Sequence, residues 1–236
     1  MKLEEFINAC TLQGLMLTEV QIEQYLRYAA LLKEWNERMN LTAIVELEEV
    51  LDKHFYDSLL PSLNTKLEGT LCDVGAGAGF PSIPLKIAYP NLTITILEPL
   101  SKRITFLEEV INQLNLKDIS CYHQRAEDYA QHHRETFDVV TARAVANLAV
   151  LAELCIPLVK KGGLFLAMKG SSGQEEDHAA KHAIQILGCV KEKEEKRQLC
   201  DGSDRVNLFY RKVTSTDKKY PRPYGKIKKS PLIKEK

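Results

Sequence analysis

The segment TLCDVGAGAGFPSIPLKIAYPNLTITILEP, residues 70–99, contains the pattern that best predicts the architecture of this chain. It begins with a short apolar run that contains one acid and is typical of a buried strand. Three alternating glycines, Gly75, Gly77 and Gly79, then precede a helical stretch, and a second β-branched run ends at Glu98. A strand, a glycine turn, a helix and a second strand followed by an acid form half of a nucleotide-binding α/β fold.

The glycine spacing and the nearby acids indicate which ligand this turn binds. A dinucleotide fingerprint, G-x-G-x-x-G, needs its third glycine where this chain has Phe80. Asp73, two residues before the first glycine, would repel a phosphate and attract an amine. The pattern D-x-G-x-G-x-G resembles motif I of the class I methyltransferases, which bind S-adenosylmethionine. Glu98 lies about 20 residues beyond the turn, where an acid accepts the two ribose hydroxyls of an adenosine. A dinucleotide site and a turn that binds nothing are the alternatives.

Composition is that of a globular chain of one large domain, alone or with appendages. The chain has 236 residues, of which 44% are hydrophobic. Charges interrupt every apolar run well before the roughly 18 residues of a membrane span, and the first residues lack a signal pattern. Six cysteines are scattered without C-x-x-C pairs, so we predict neither a zinc site nor a disulfide framework. We expect reduced thiols in a cytoplasmic protein.

The net charge of zero conceals an asymmetry along the chain. From Arg211 onward there are ten Lys or Arg and two Asp or Glu, so this part carries +8 and residues 1–210 carry −8. A basic tail on an acidic body is typical of a protein that binds a polyanion. A tail that is merely solvated is the alternative.

The first 60 residues predict helices and no strand. Thr18 and Gln21 have the spacing of a capping box before a helix that runs to about Glu37. This helix carries an apolar stripe in steps of three and four residues: Tyr25, Tyr28, Leu32, Trp35 and Met39. We expect the stripe to pack onto the domain that follows, and an RNA-stacking surface is the alternative.

A further helical segment spans residues 47–63, and we expect Pro61 to end it because proline lacks the backbone donor. His54 and Asp57 lie three residues apart on one face of this helix. We interpret them as a structural pair, with a position over the ligand cleft as the alternative.

The remainder of the chain alternates helical and strand-like runs, as an α/β sheet requires. The predicted strands are residues 119–123, 137–142 and 164–168, followed by an antiparallel hairpin of 190–196 and 206–212. The predicted helices are 101–114, capped by Ser101, then 148–159 and 179–187, with a polar, flexible loop at 171–177. Together with the two strands of residues 70–99, these runs predict a seven-stranded sheet.

The carboxyl ends of the parallel strands should line the ligand crevice. A backbone N–H and a carboxylate at Ala126 and Glu127 could pair there with the adenine edge. Arg143 follows the fourth strand, and we expect it to bind a carboxylate or phosphate of the ligand. A salt bridge to a neighbouring acid is the alternative. Lys169 ends the fifth strand at the same edge.

Seven segments together carry a resemblance to one family. They are NLTAI (40–44), HFYDS (54–58), DVGAGAGFPSIPL (73–85), LEPLSKRITFL (97–107), RAE (125–127), TARAVA (141–146) and YPR (220–222). In this order they resemble the bacterial 16S ribosomal RNA guanine-N(7) methyltransferases, also called the glucose-inhibited division protein B family. The resemblance implies a class I, Rossmann-like α/β fold whose last hairpin is antiparallel. We accordingly divide the chain into a helical N-terminal extension (1–66), a methyltransferase domain (67–213) and a basic tail (214–236).

The resemblance also implies an activity. Members transfer a methyl group from S-adenosyl-L-methionine to nitrogen 7 of a guanosine in the decoding-region loop of 16S ribosomal RNA, releasing S-adenosyl-L-homocysteine. Family positions and the glycine motif together give this predicted donor site: Asp73, Gly75, Gly77, Gly79, Phe80, Glu98, Ala126, Glu127 and Arg143. The sequence departs from the family at Ser82, where many members have glycine, and at YPRPYG (220–225), which replaces YPR-x-PG.

We assign no catalytic residue. Nitrogen 7 of guanine has a free lone pair and no proton, so alignment of the reactants is sufficient and no general base is required. His54 and Lys169 are candidates for positioning the guanosine or a phosphate only. We expect 16S ribosomal RNA or the small ribosomal subunit as partner, and a monomer without metal or membrane contact. A small-molecule methyltransferase, or a non-catalytic ribosomal RNA-binding protein with this fold, is the alternative.

Overall fold

The structure is a computed structural model that describes residues 1–233. Its centre is one seven-stranded sheet in the order β3-β2-β1-β4-β5-β7-β6. The strands are β1 Thr70–Val74, β2 Thr93–Leu97, β3 Ile119–Tyr122, β4 Phe137–Arg143, β5 Val159–Lys169, β6 Cys189–Gln198 and β7 Asp204–Lys212. Strands β1 to β5 are parallel, and β7 is antiparallel to both β5 and β6. The predicted sheet and its final antiparallel hairpin are therefore present.

Helices cover both faces of the sheet. They are α1 Leu3–Leu12, α2 Glu19–Met39, α3 Leu47–Glu49, α4 Asp57–Leu63, α5 Ser82–Ala88, α6 Ser101–Gln113, α7 Ala126–Tyr129, α8 Leu148–Cys155, α9 Gly173–Ile186 and α10 Tyr224–Lys229. A π-helical segment, Val50–Tyr56, joins α3 to α4. The N-terminal helices, α5 and α6 share one hydrophobic core, and α8, α9 and α10 share the other.

The N-terminal helices pack on the sheet domain, as the apolar stripe predicts. Thr18 and Gln21 form the expected capping box at the start of α2. Tyr25, Tyr28 and Leu32 are fully buried, and the other stripe residues are partly buried against the same core. Packing, rather than an RNA-stacking surface, therefore explains the stripe.

Three local predictions are wrong. Pro61 lies inside α4 rather than ending it, because its buried neighbours Leu59 and Leu60 hold the helix in the core. Helix α9 begins at Gly173, inside the predicted loop, where Glu176 in its first turn accepts a hydrogen bond from Ser172 Oγ. Ser101 is the first residue of α6 and makes no side-chain cap.

The C-terminal tail is folded onto the body as far as residue 233. Lys234 and Lys236, which belong to the predicted basic tail, lie outside the described residues. Tyr220 and Ile227 are buried in the core that contains α8. Within residues 1–233, no helix has both the length and the apolar character needed to cross a membrane.

Candidate active site

The glycine turn follows β1 at the carboxyl edge of the sheet. Gly75 has a φ of +72°, and its N–H donates to the Leu97 carbonyl at 2.7 Å, which ties the turn to β2. A Cβ on Gly75 would lie 2.8 Å from Val145 Cγ2, so a side chain at this position would be strained and would displace the loop after β4. A Cβ on Gly77, with a φ of +62°, would meet no atom of residues 1–233 within 4 Å. The backbone of Gly77 therefore borders open space that a ligand can approach closely.

Helix α2 supports this turn from behind. The Tyr28 hydroxyl donates to the Ala78 carbonyl at 2.5 Å and lies 2.7 Å from where a Cβ on Gly79 would be. The Tyr28 ring is also 5.6 Å from the ring of Phe80 and 5.2 Å from that of Phe55. The N-terminal extension thus fixes the position of the glycine turn.

Glu98 ends β2 beside the turn and is 1% exposed. One carboxylate oxygen accepts from the Gly77 N–H and the other from the Leu100 N–H, both at 3.0 Å. Arg103 Nη1 lies 3.5 Å away. The acid and the glycine turn are therefore neighbours, as residues 70–99 predict.

Asp73 is fully buried beneath the turn. Its Oδ2 accepts from the Ser82 N–H at 3.1 Å, whereas Oδ1 has no hydrogen-bond partner among the described residues. Burial raises the pKa of this carboxyl to about 7. Ser82 is itself fully buried, so the serine that replaces the family's glycine fits this site. The orphaned oxygen leaves Asp73 able to accept one further donor.

Ala126 and Glu127 begin α7 just beyond the end of β3, and both are buried. Strand β3 lies beside β2, and the Glu98 N–H donates to the Tyr122 carbonyl at 3.1 Å. Burial raises the pKa of the Glu127 carboxyl. These residues thus follow the same edge of the sheet as Glu98.

A cavity of ≈ 350 Å³ lies beside this region, at the carboxyl ends of β4 and β5 and under the π-helical segment. The cavity brings together three residues singled out in the sequence, His54, Arg143 and Lys169. A larger cavity of ≈ 760 Å³ lies at the amino ends of β1 and β2, at the opposite edge of the sheet. Of these two cavities, the smaller one is at the edge where open α/β sheets bind ligands.

Arg143 is paired with an acid, the alternative that the sequence left open. Its Nη1 donates to Asp57 Oδ2 at 2.8 Å and to the Lys53 carbonyl at 3.1 Å. The guanidinium also lies over the ring of Phe80, 4.8 Å from its centroid. His54 and Asp57 are therefore not an isolated pair, because Arg143 lies between them and all three line the cavity.

His54 is held in one orientation by its neighbours. Its ring stacks on Phe80 with centroids 4.3 Å apart, Nε2 lies 3.0 Å from Thr42 Oγ1, and Nδ1 lies 3.2 Å from Arg143 Nη2. Nδ1 also lies 3.2 Å from the Lys53 carbonyl, so this nitrogen contacts both a donor and an acceptor. Burial, with help from the charge of Arg143, lowers the pKa of His54 to about 3. The imidazole is therefore neutral near pH 7.

Lys169 is engaged in contacts that hold the loop after β4. Its ammonium lies 2.7 Å from Glu176 Oε2 and donates to the Ala146 carbonyl at 2.8 Å. The same carboxylate oxygen accepts from the Leu148 N–H at 2.8 Å. The lysine thus joins β5 to α9 and to the start of α8, at the wall of the cavity.

The sequence of the chain matches one known family over most of its length. Residues 21–200 match the family model described as GidB, rRNA small subunit methyltransferase G. The chain is 51% identical to ribosomal RNA small subunit methyltransferase G of Bacillus pumilus, over 98% of this chain and 99% of that protein. The chain belongs to this family. Its identity to the proteins of the same name is 50% for Staphylococcus epidermidis and 48% for Bacillus subtilis, with 99% of each relative covered.

Solved structures similar to this member of the methyltransferase G family share its fold at low sequence identity. TYW2 of Pyrococcus horikoshii in complex with MeSAdo has a TM-score of 0.54 and 18% identity, covering 66% of this chain and 61% of that one. A mutant 16S rRNA (adenine(1408)-N(1))-methyltransferase of Catenulisporales acidiphilia with cosubstrate SAM has a TM-score of 0.51 and 15% identity, covering 63% of this chain and 86% of that one. The predicted methyltransferase fold is confirmed, and so is the prediction of a small-subunit ribosomal RNA methyltransferase.

Three charged residues that line the cavity were missed in the sequence: Lys53, Glu176 and Arg205. Arg205, at the start of β7, donates from Nε to Asp57 Oδ1 at 3.0 Å. An antiparallel strand that pairs with β5 must begin at the carboxyl edge of the sheet, so the predicted hairpin already contained the signal for this position. In this family member, Asp57 therefore joins two guanidinium groups from β4 and β7.

Proposed function

We propose that this chain transfers a methyl group from S-adenosyl-L-methionine to nitrogen 7 of a guanosine in the decoding-region loop of 16S ribosomal RNA. The observation that carries the proposal is the presence of two neighbouring sites at one edge of the sheet in a member of the methyltransferase G family. A glycine turn with its acid follows β1 and β2, and a separate cation-lined cavity lies over the neighbouring β4 and β5. One edge of the sheet thus has room for a donor and an acceptor side by side.

The residues after β1, β2 and β3 fit an adenosyl donor. The open space beside Gly77 admits a ligand close to the backbone, and Asp73 Oδ1 is a buried acceptor that a ligand N–H would satisfy. Glu98 would accept from the ribose hydroxyls, and Ala126 with Glu127 would contact the adenine. Gly75, Gly79 and Phe80 would shape the turn, with Arg143 facing the carboxylate of the donor.

Bound S-adenosylmethionine would supply an electrophilic methyl group and leave S-adenosylhomocysteine. The protein then has to hold the guanine lone pair in line with that methyl, and no proton has to be removed. A histidine whose pKa is about 3 is a poor base at neutral pH, which supports a positioning role for His54.

Lys169 would act on the substrate indirectly, since its ammonium already holds Glu176 and the loop after β4. Because the proposed substrate is ribosomal, we propose that the protein acts in the cytoplasm. We further propose that it works as a monomer and without a metal ion.

Mapping 7-methylguanosine in small-subunit ribosomal RNA tests the proposal. Ribosomal RNA from cells with and without the protein is digested and examined by mass spectrometry. One 7-methylguanosine in the decoding region should disappear with the gene and return when purified protein and S-adenosylmethionine are added to small subunits. A modification that is unchanged would favour a non-catalytic RNA-binding role. Methylation of small molecules with a salt-independent KM would favour the small-molecule enzyme.

A further inference from the structure

Within the described residues, four cationic side chains line the cavity over β4 and β5, and their partners distinguish them. Lys53 lies 2.7 Å from Glu49 and 3.2 Å from Asp201. Lys169 is paired with Glu176. The two lysines thus have carboxylates of their own.

The two arginines share one carboxylate. Arg143 contacts Asp57 Oδ2 at 2.8 Å, and Arg205 contacts Asp57 Oδ1 at 3.0 Å. A single negative charge between two guanidiniums leaves the cluster of Arg143, Asp57 and Arg205 with one net positive charge, whereas Lys53 has two carboxylates and balances it over the cavity as a whole. The cluster lies at the cavity wall, so the local charge beside the two arginines favours an anion.

The two arginines differ in burial and in their hydrogen-bond partners. Arg143 is more buried, lies over Phe80 and uses Nη1 to bind Asp57 and the Lys53 carbonyl. Arg205 lies on the outer side of the cavity, with 22% of its side chain exposed. Its Nη1 donates to Ser203 Oγ and the Asp204 carbonyl, and Nη2 has no hydrogen-bond partner within residues 1–233.

We infer that Arg205 binds a backbone phosphate of the RNA next to the target guanosine, while Arg143 faces the donor; this inference rests on the proposed function. A guanidinium donates two parallel N–H bonds to a phosphate, which fixes the orientation of the nucleotide as well as adding affinity. Asp57 would hold the donor-side and the RNA-side arginine in register, because each binds one of its oxygens.

Arg205→Gln is a sharp test because it leaves Asp57 paired with Arg143, so no buried charge is left alone. Arg211→Gln is the matched control. Arg211 lies six residues further along β7, pairs with Glu192 at the opposite end of the strand and loses the same charge. Binding of full-length protein to small ribosomal subunits from cells lacking it is measured over a series of salt concentrations, with thermal melting to check folding.

Arg205→Gln should weaken subunit binding about tenfold and lower the slope of log K against log[salt] by about 0.7 to 0.9, the loss of one phosphate contact. The affinity of Arg205→Gln for S-adenosylmethionine, measured by calorimetry, should stay within about twofold of that of the parent. Arg205→Lys should recover part of the lost subunit binding. Arg211→Gln should bind subunits with the same affinity and salt slope as the parent. An unchanged salt slope would overturn the inference. So would an equal loss of donor affinity, which would show that Arg205 acts only through Asp57 and Arg143.

Methyl transfer by the parent protein to the same subunits is measured in parallel. A parent that binds subunits and S-adenosylmethionine but transfers no methyl group would refute the proposed function. The salt slope would still decide whether Arg205 contacts a phosphate.

Discussion

Glu98 Oε2 accepts a hydrogen bond from the backbone nitrogen of Gly77 at 3.0 Å, so the acid after β2 directly contacts the turn after β1. The two residues are 21 positions apart and meet because β1 and β2 are parallel neighbours. The contact places a fixed negative charge beside the open space at Gly77, where we propose that the ribose of the donor binds.

Replacing Glu98 by alanine should weaken S-adenosylmethionine binding more than tenfold, about 1.4 kcal/mol or more, because the acceptor for the ribose hydroxyls is lost. Isothermal titration calorimetry measures the affinity. Glu108→Ala, an exposed acid on α6, is the control and should bind the donor normally. Equal affinities of the two variants would remove Glu98 from the donor site.

Replacing Gly75 by alanine should also reduce donor affinity more than tenfold, since the new Cβ would lie 2.8 Å from Val145 Cγ2 at a φ of +72°. Gly14→Ala is a matched control. Gly14 has a φ of +82°, but no atom in the described part of the chain lies within 4 Å of its Cβ position, and it is far from the site in sequence and fold. Both variants should lose about 1 kcal/mol of stability from backbone strain. Normal donor binding by Gly75→Ala would contradict the assigned turn.

Local patterns in the sequence were sufficient to predict the parts of the site that a short stretch builds. The turn, its acid and the strands around them follow from residues 70–99 alone, because one βαβ unit is determined by its own periodicity and glycines. The sequence placed Arg143 at the crevice for the same reason, as the end of a predicted strand.

Contacts between distant segments could not be predicted in this way. Asp57 meets Arg143 across 86 positions and Arg205 across 148, and the second contact depends on how the last hairpin joins the sheet. The contacts of the tail with the body could not be predicted from local patterns either. Its charge suggested either an RNA arm or a solvated end, whereas Arg222 and Ile227 are used to attach it to the body.

Asp73 should make stability depend on pH in a recognisable direction. Burial raises the pKa of its carboxyl from 3.8 to about 7, so between these values the folded state holds a proton that the unfolded state has released. The contribution of Asp73 to the free energy of unfolding is thus greatest at low pH and falls as pH rises from 3.8 to about 7. Asp73→Asn should remove the effect. The free energy of unfolding of both proteins is measured with urea from pH 4.5 to 7. Over this range, the value for Asp73→Asn should rise relative to that of the parent by up to about 1.4 kcal/mol per pH unit. A constant difference would show that Asp73 ionises normally.

Arg222 should contribute strongly to the stability of the folded chain. Glu153 is fully buried, and its two oxygens accept from Arg222 Nε at 2.8 Å and Nη2 at 2.7 Å. Arg222→Ala would leave a buried carboxylate unpaired and should cost about 3 kcal/mol in urea unfolding. Adding Glu153→Gln should restore part of this loss. Lys219→Ala, which breaks an exposed pair with Asp217, should change stability little. An Arg222→Ala variant as stable as Lys219→Ala would refute the structural role.

The exposed lysines of α10 provide the test of RNA binding by the tail. Lys226, Lys228 and Lys229 project from a helix that the buried Ile227 anchors. Tyr224, at its start, lies 5.1 Å from the Arg125 guanidinium, so the helix lies beside the loop that leads to the predicted adenine contacts. Truncation from Lys218 would be a poor test, because it would also remove the partner of Glu153.

Changing these three lysines together to glutamine should weaken binding to small ribosomal subunits and lower the salt slope by about 2 to 3, while leaving the urea midpoint unchanged. The control has the same charge change at three exposed lysines elsewhere on the body: Lys66, Lys117 and Lys181. If both triple variants show the same salt slope, the charges of the tail serve solvation only. If the α10 variant alone loses slope, phosphates of the RNA lie along α10, on the same side of the molecule as Arg125.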